Sequence, residues 1–75
     1  MTKSFVRNNI RKLRFERNEM TQQELADKVG VTRQTIVAIE GEKYSPTLEL
    51  AFRIARVFDV PLQDVFFYEP DEDAQ

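Results

Sequence analysis

The sequence predicts an all-α fold: five short helices in a bundle, with room for a two-stranded antiparallel ribbon joining the N- and C-terminal segments. Three observations carry this. Apolar residues recur at helical spacing in several separate stretches. Those stretches are divided by caps and turn formers at Thr21, Gly30, Thr32, Gly41 and Ser45-Pro46. Near the end stand three aromatics in a row, Phe66-Phe67-Tyr68, a pattern that favours an extended strand.

With 75 residues the chain has room for one domain. A domain of this size buries only about 60% of its unfolded surface, so it needs a dense core, staples or a partner. The chain holds no cysteine and no histidine. Disulfides are excluded, and zinc sites and Cys- or His-based nucleophilic chemistry become implausible. No cofactor is expected, and oligomerisation is the natural route to extra stability. The first residues, MTKSFVRNN, form no apolar leader, and no stretch approaches the length of a membrane span. The expectation is a cytoplasmic protein without a membrane partner.

The net charge of −2 argues at first against a polyanionic partner. Its distribution argues otherwise. Residues 1 to 17 carry Lys3, Arg7, Arg11, Lys12, Arg14 and Arg17 against Glu16, a net of +5. Residues 44 to 75 carry Arg53 and Arg56 against seven carboxylates, a net of −5. A basic region can hold a phosphate backbone whatever the total.

In chain order, residues 3 to 6 (KSFV) read as an extended arm or short edge strand, with Ser4–Val6 able to pair with Phe66–Tyr68. Asn8 or Asn9 caps a first helix over 10–17, with Ile10 and Leu13 on its apolar face and Arg11, Lys12, Arg14 and Arg17 around it. Met20 tucks into the core. Thr21-Gln22-Gln23-Glu24 is a capping box that opens a second helix, whose inward residues are Leu25, Ala26 and Val29. Gly30 stops that helix by entering the left-handed region, and Val31 fills the turn. Thr32 caps a third helix running from Arg33 to Glu40. Ile36 and Ile39 face inward, which sends Arg33, Gln34 and Val37 outward and leaves Thr35 and Ala38 at the margins. Gly41 ends it. Ser45 caps a fourth helix with Pro46 at its first position. Leu48, Ala51, Phe52, Ala55 and Phe58, widened by Leu50, Ile54 and Val57, make it a buried central helix. Pro61 opens a fifth, over 62–65. Residues 1–69 form the domain, and 70–75 read as a frayed acidic tail.

Residues 21–40 carry the chemistry. Arginine and glutamine on an exposed helix are ordinary as a solvated face. Here they sit on the second of two helices, each about two turns long and joined by a tight turn, the geometry that lets one helix enter the major groove. Both helices begin at threonine caps, where free N–H groups and the positive dipole end can hold a phosphate. Arg33 and Gln34 are residue types that pair in bidentate fashion with guanine and adenine edges.

TQQELADKVGVTRQTIVAIE resembles the helix-turn-helix of the Cro and phage-repressor (Xre) family of transcription regulators. The shared marks are Gln22, Leu25-Ala26, Gly30, Val31, Gln34, Ile36 and Ile39-Glu40. IRKLRFERNEMTQQELA and YSPTLELAFRIARVFDVPLQDVF extend the likeness over nearly the whole chain, which looks closest to compact stand-alone regulators with a C-terminal aromatic strand. The resemblance implies a lambda-repressor-like bundle and double-stranded DNA as partner. It implies that Thr32, Arg33, Gln34 and Ala38 meet bases, Ala38 through apolar contact alone. Gln22, with the cap Thr21 beside it, would hold the DNA backbone, as would Thr35 and Lys43. Arg14 and Glu40 would form the ion pair tying the first helix to the end of the third. The chain departs from the family in a link at Asn18-Glu19 that is one residue longer than the commonest spacing. It also has apolar Val37 on the outward face, and Pro61 where a serine or threonine cap is usual.

One recognition helix reads too few base pairs for useful specificity. Two copies about a two-fold axis would read inverted half-sites about one helical turn apart. Leu62, Val65, Phe66, Phe67 and Tyr68 are the expected dimer surface, since strand alternation sends neighbouring side chains to opposite faces. With no effector domain and no small-molecule site evident, repression by occluding RNA polymerase is the expected mechanism. An antitoxin-like or bridging protein-interaction module on the same fold is the competing reading. Nothing in the sequence supports an enzyme.

Overall fold

The chain is described by a computed structural model over residues 6–69. Its elements are β1 (Val6–Asn8), α1 (Ile10–Glu16), α2 (Gln22–Val29), α3 (Arg33–Glu40), α4 (Leu48–Phe58), α5 (Leu62–Val65) and β2 (Phe66–Tyr68). The helices enclose one core, in which Ile10, Leu25, Ile36, Ile39, Ile54, Phe58 and Val65 are fully buried. Leu13, Met20, Val31, Val57, Leu62 and Phe66 pack against it from the rim. Among the described residues, no helix is long and apolar enough to cross a membrane.

The central helices form as the sequence dictates. Thr21 Oγ1 accepts from the Glu24 N–H at 3.0 Å while Glu24 Oε1 accepts from the Thr21 N–H at 2.7 Å, a closed capping box. Gly30 stands at φ 78°, and its N–H returns to the Ala26 carbonyl. Thr32 Oγ1 then accepts from the Thr35 N–H at 3.2 Å and starts α3.

Elsewhere the structure corrects the expected boundaries. Among the described residues β1 is Val6–Asn8, of which the expected strand Ser4–Val6 included only Val6, and Val6 pairs with Tyr68, Arg7 with Phe67 and Asn8 with Phe66. The asparagines set that register: Asn9 donates its N–H to the Val65 carbonyl at 2.9 Å, so the strand abuts α1 directly. Ser4 and the expected tail at 70–75 lie outside the described residues. α1 ends at Glu16, and its inward residue one turn after Ile10 is Arg14, leaving Phe15 52% exposed. α4 is capped by Thr47, whose Oγ1 accepts from the Leu50 N–H at 3.2 Å, and not by Ser45; Pro46 precedes the cap. Its inward stripe is Leu50, Ala51, Ile54, Ala55 and Phe58. Leu48 and Phe52 fall on the flank of that stripe, one turn apart, and are 67% and 53% exposed. α4 is therefore buried along one face, not all around.

Two links close without glycine. Asn18 and Glu19 take φ 59° and 55° between α1 and α2, and the Met20 N–H reaches back to the Arg14 carbonyl at 2.9 Å. Asp59, at φ 57°, ends α4 in the same way. Short Asn and Asp side chains tolerate this region better than most.

Candidate nucleic-acid interface

α2 and α3 lie against one another across the Gly30–Thr32 turn, with Leu25, Ala26, Ile36 and Ile39 buried between them and the rest of the core. That packing fixes which residues of α3 remain outside. Arg33, Gln34 and Val37 are exposed, while Thr35 and Ala38 are half-buried at the edges of the face. Among the described residues, no ion pair or hydrogen bond engages the side chains of Arg33, Gln34 or Lys43. Lys43 projects from the loop after α3, where its N–H is fixed to the Ala38 carbonyl at 3.0 Å.

The threonines are more occupied. Thr32 and Thr35 hydroxyls lie 3.1 Å apart, and Thr32 Oγ1 also serves the α3 cap. Thr21 Oγ1 is held in the capping box. Each hydroxyl keeps part of its hydrogen-bonding capacity, in a position preset by the helix terminus.

Behind this face lies a buried polar cluster. Arg14 Nε donates to Glu40 Oε2 at 2.7 Å and Nη2 donates to Oε1 at 3.1 Å, a bidentate pair. The side chains are only 9% and 10% exposed. Arg14 Nη1 also donates to the Met20 carbonyl at 2.7 Å. One guanidinium thus ties α1, the α1–α2 link and the last residue of α3 together. Gln22 Nε2 donates to Glu40 Oε1 at 3.2 Å, which fixes the half-buried Gln22 side chain beside the outward face of α3.

A groove between α1 and α3 continues the surface. Its walls include Arg11, Lys12 and Phe15 on one side and Gln22, Val37 and Glu40 on the other. The Arg11 guanidinium stands 5.5 Å from the Phe15 ring centroid and that of Arg14 5.8 Å, within cation–π reach. Arg11 and Lys12 belong to the basic region expected to hold a phosphate backbone, whereas Phe15 has no expected role at this surface. Its trace was the i, i+4 spacing of Arg11 and Phe15 combined with the burial of Arg14.

The five residues expected at a dimer surface separate. Val65 is fully buried in the monomer and carries no surface to offer a second copy; at the end of α5 it points into the core beside β1. Leu62 and Phe66 are half-buried against the core. Phe67 and Tyr68 are exposed, Tyr68 at 68%.

A helix-turn-helix family model matches residues 10–65, from the first residue of α1 to the last of α5. An uncharacterized HTH-type transcriptional regulator of Methanocaldococcus jannaschii is 54% identical over 63 residues, covering 81% of this chain and 96% of that protein. The uncharacterized HTH-type regulator YgzD of Bacillus subtilis is 41% identical over 66 residues, covering 88% and 98%. The cryptic phage CTXphi transcriptional repressor RstR of Vibrio cholerae is 38% identical over 56 residues, 75% of this chain and 50% of that longer protein. A crystal structure from Bacteroides fragilis shares the fold, with a TM-score of 0.72 at 22% identity, covering 83% of this chain and 98% of that one. The chain belongs to the Xre-type helix-turn-helix family, a family of DNA-binding transcription regulators and not of enzymes.

Proposed function

We propose that this chain is a sequence-specific repressor that binds an inverted-repeat operator as a homodimer, with α3 in the major groove. The observation that carries the reading is the outward face of α3. Arg33 and Gln34, two side chains suited to bidentate base recognition, stand exposed and engaged by no other described residue, on a helix whose back is locked by Ile36 and Ile39. A base-reading side chain must be free to turn toward the base while its backbone stays fixed, and this arrangement supplies both conditions.

In this reading Thr32, Arg33 and Gln34 meet base edges, and Ala38 lies close enough for apolar contact with a thymine methyl. Gln22, anchored through Glu40, turns its remaining amide capacity to a phosphate. Thr21, Thr35 and Lys43 lie along the same backbone. Arg11 and Lys12 add positive charge beside them, so binding weakens as salt rises. Phe67 and Tyr68, with the rims of Leu62 and Phe66, form the surface between copies. Repression agrees with the name of the phage relative, and a cytoplasmic location follows from an operator on the chromosome.

Selection of random duplex DNA on the purified chain tests the reading. Enrichment of an inverted repeat with half-sites about one helical turn apart is expected. An unenriched pool would contradict it and favour the protein-interaction reading, which copurification of a second chain would support.

A further inference from the structure

We infer that Asn8 is a positioning residue for the recognition helix: it ties the end of α3 to the ribbon and so sets the spacing at which two copies read their half-sites. The inference rests on the homodimeric reading above. Asn8 lies in β1, opposite Phe66, yet its side chain works on two helices. Nδ2 donates to the Ile39 carbonyl at 2.9 Å, across 31 positions of sequence. Oδ1 accepts from the Ile10 N–H at 3.2 Å, the first residue of α1. A carboxamide suits this place because it carries a donor and an acceptor on one rigid plane; aspartate has no donor and alanine has neither.

The neighbouring residues strengthen the tie. The Ile39 carbonyl also accepts from the Glu42 N–H at 3.0 Å, so the last turn of α3 is held from both sides. Glu42 is at φ 62°, a conformation that side-chain-bearing residues enter at a cost. Its carboxylate lies 3.4 Å from Arg7 Nε, and Arg7 Nη1 lies 3.3 Å from Glu69 just past β2. Asn9 donates Nδ2 to the Asp64 carbonyl at 3.1 Å on α5. Arg7, Asn8 and Asn9 therefore join the ribbon and α5 to the C-terminal end of the helix that reads DNA. A ribbon held to a second copy through Phe67 and Tyr68 thereby fixes the direction in which α3 points.

The test measures affinity of the full chain for the selected inverted repeat and for duplexes with the spacer one base pair shorter and longer. Asn8→Asp keeps the acceptor for Ile10 and removes the donor to Ile39; Glu42→Gln removes the charge of the Arg7 arm and so weakens it, leaving the Asn8 contacts in place. The parent is expected to prefer one spacing by about tenfold, the scale on which a single hydrogen-bonded tie acts. Both variants are expected to narrow that ratio, Asn8→Asp the more. A merely structural loss would lower affinity for all spacings by one factor and leave the ratio unchanged. An unchanged ratio in Asn8→Asp, or in Glu42→Gln should Asn8→Asp not fold, overturns the inference. A parent without any spacing preference overturns the homodimeric reading itself.

Discussion

Glu40 accepts two hydrogen bonds from Arg14 and one from Gln22, so one carboxylate serves both the fold and the surface. Replacing it by alanine leaves the Arg14 guanidinium buried without its counter-charge. The expected loss of stability in denaturant titration is about 3–5 kcal/mol, well above the roughly 0–1 kcal/mol typical of a surface pair. Gln22→Ala acts differently. It should leave the unfolding midpoint near the parent's and weaken binding to every duplex by one factor, since a phosphate contact carries no sequence information. A Gln22→Ala protein that loses affinity for one sequence only would remove Gln22 from the backbone role. At this scale the ion pair was legible through the family resemblance; a glutamate after buried Ile39 and an arginine-rich first helix agree with it but do not by themselves choose Arg14 among its basic neighbours. The double duty of Asn8 was not legible: an asparagine before a helix reads as a cap, and the partner that makes it a strut lies 31 positions away.

The elements owe their ends to single residues. Gly30 is the clearest case, at φ 78° and with open space around it; an added Cβ would meet nothing nearer than Arg53 Nη1 at 3.8 Å. Gly30→Ala should therefore cost only the backbone term, about 1–2 kcal/mol in thermal or chemical unfolding. A larger loss would mean that packing, and not backbone conformation, holds that position. Caps with a local chemical signature, Thr21 with Glu24 and Thr32 ahead of Arg33, were readable because both partners lie within four residues. Gly41 ends α3 as expected, though at φ −81°; the left-handed residue is the next one, Glu42, whose carboxylate Arg7 holds from β1. A cap was misplaced where neighbouring residues offered competing starts. The capping of α4 passed from Ser45 to Thr47, since Ser, Pro and Thr in succession offer three plausible starts and only packing of Leu50 and Ile54 chooses among them.

For the whole molecule, the exposed apolar surface at Phe67 and Tyr68 is where the proposed dimer can be tested. Tyr68→Glu combined with Phe67→Glu should shift sedimentation toward monomer while far-UV circular dichroism stays as in the parent, because both side chains lie outside the core. A parent that sediments only as monomer at micromolar concentration, with and without operator-like DNA, would contradict the dimer. The aromatic run announced a strand and surplus apolar area. It could not say that Val65, one residue before it, spends its side chain entirely on the monomer, since burial at the end of a four-residue helix depends on what lies across the core.

In the proposed function, α3 reads bases through Arg33. Fluorescence anisotropy on a set of duplexes, each changed at one position of the selected operator, tests it most directly when parent and Arg33→Ala are compared. A flattened preference at one position of each half-site is expected, with a loss there of about 1–3 kcal/mol and the preferences elsewhere preserved. An Arg33→Ala protein that discriminates at every position as the parent does would contradict it.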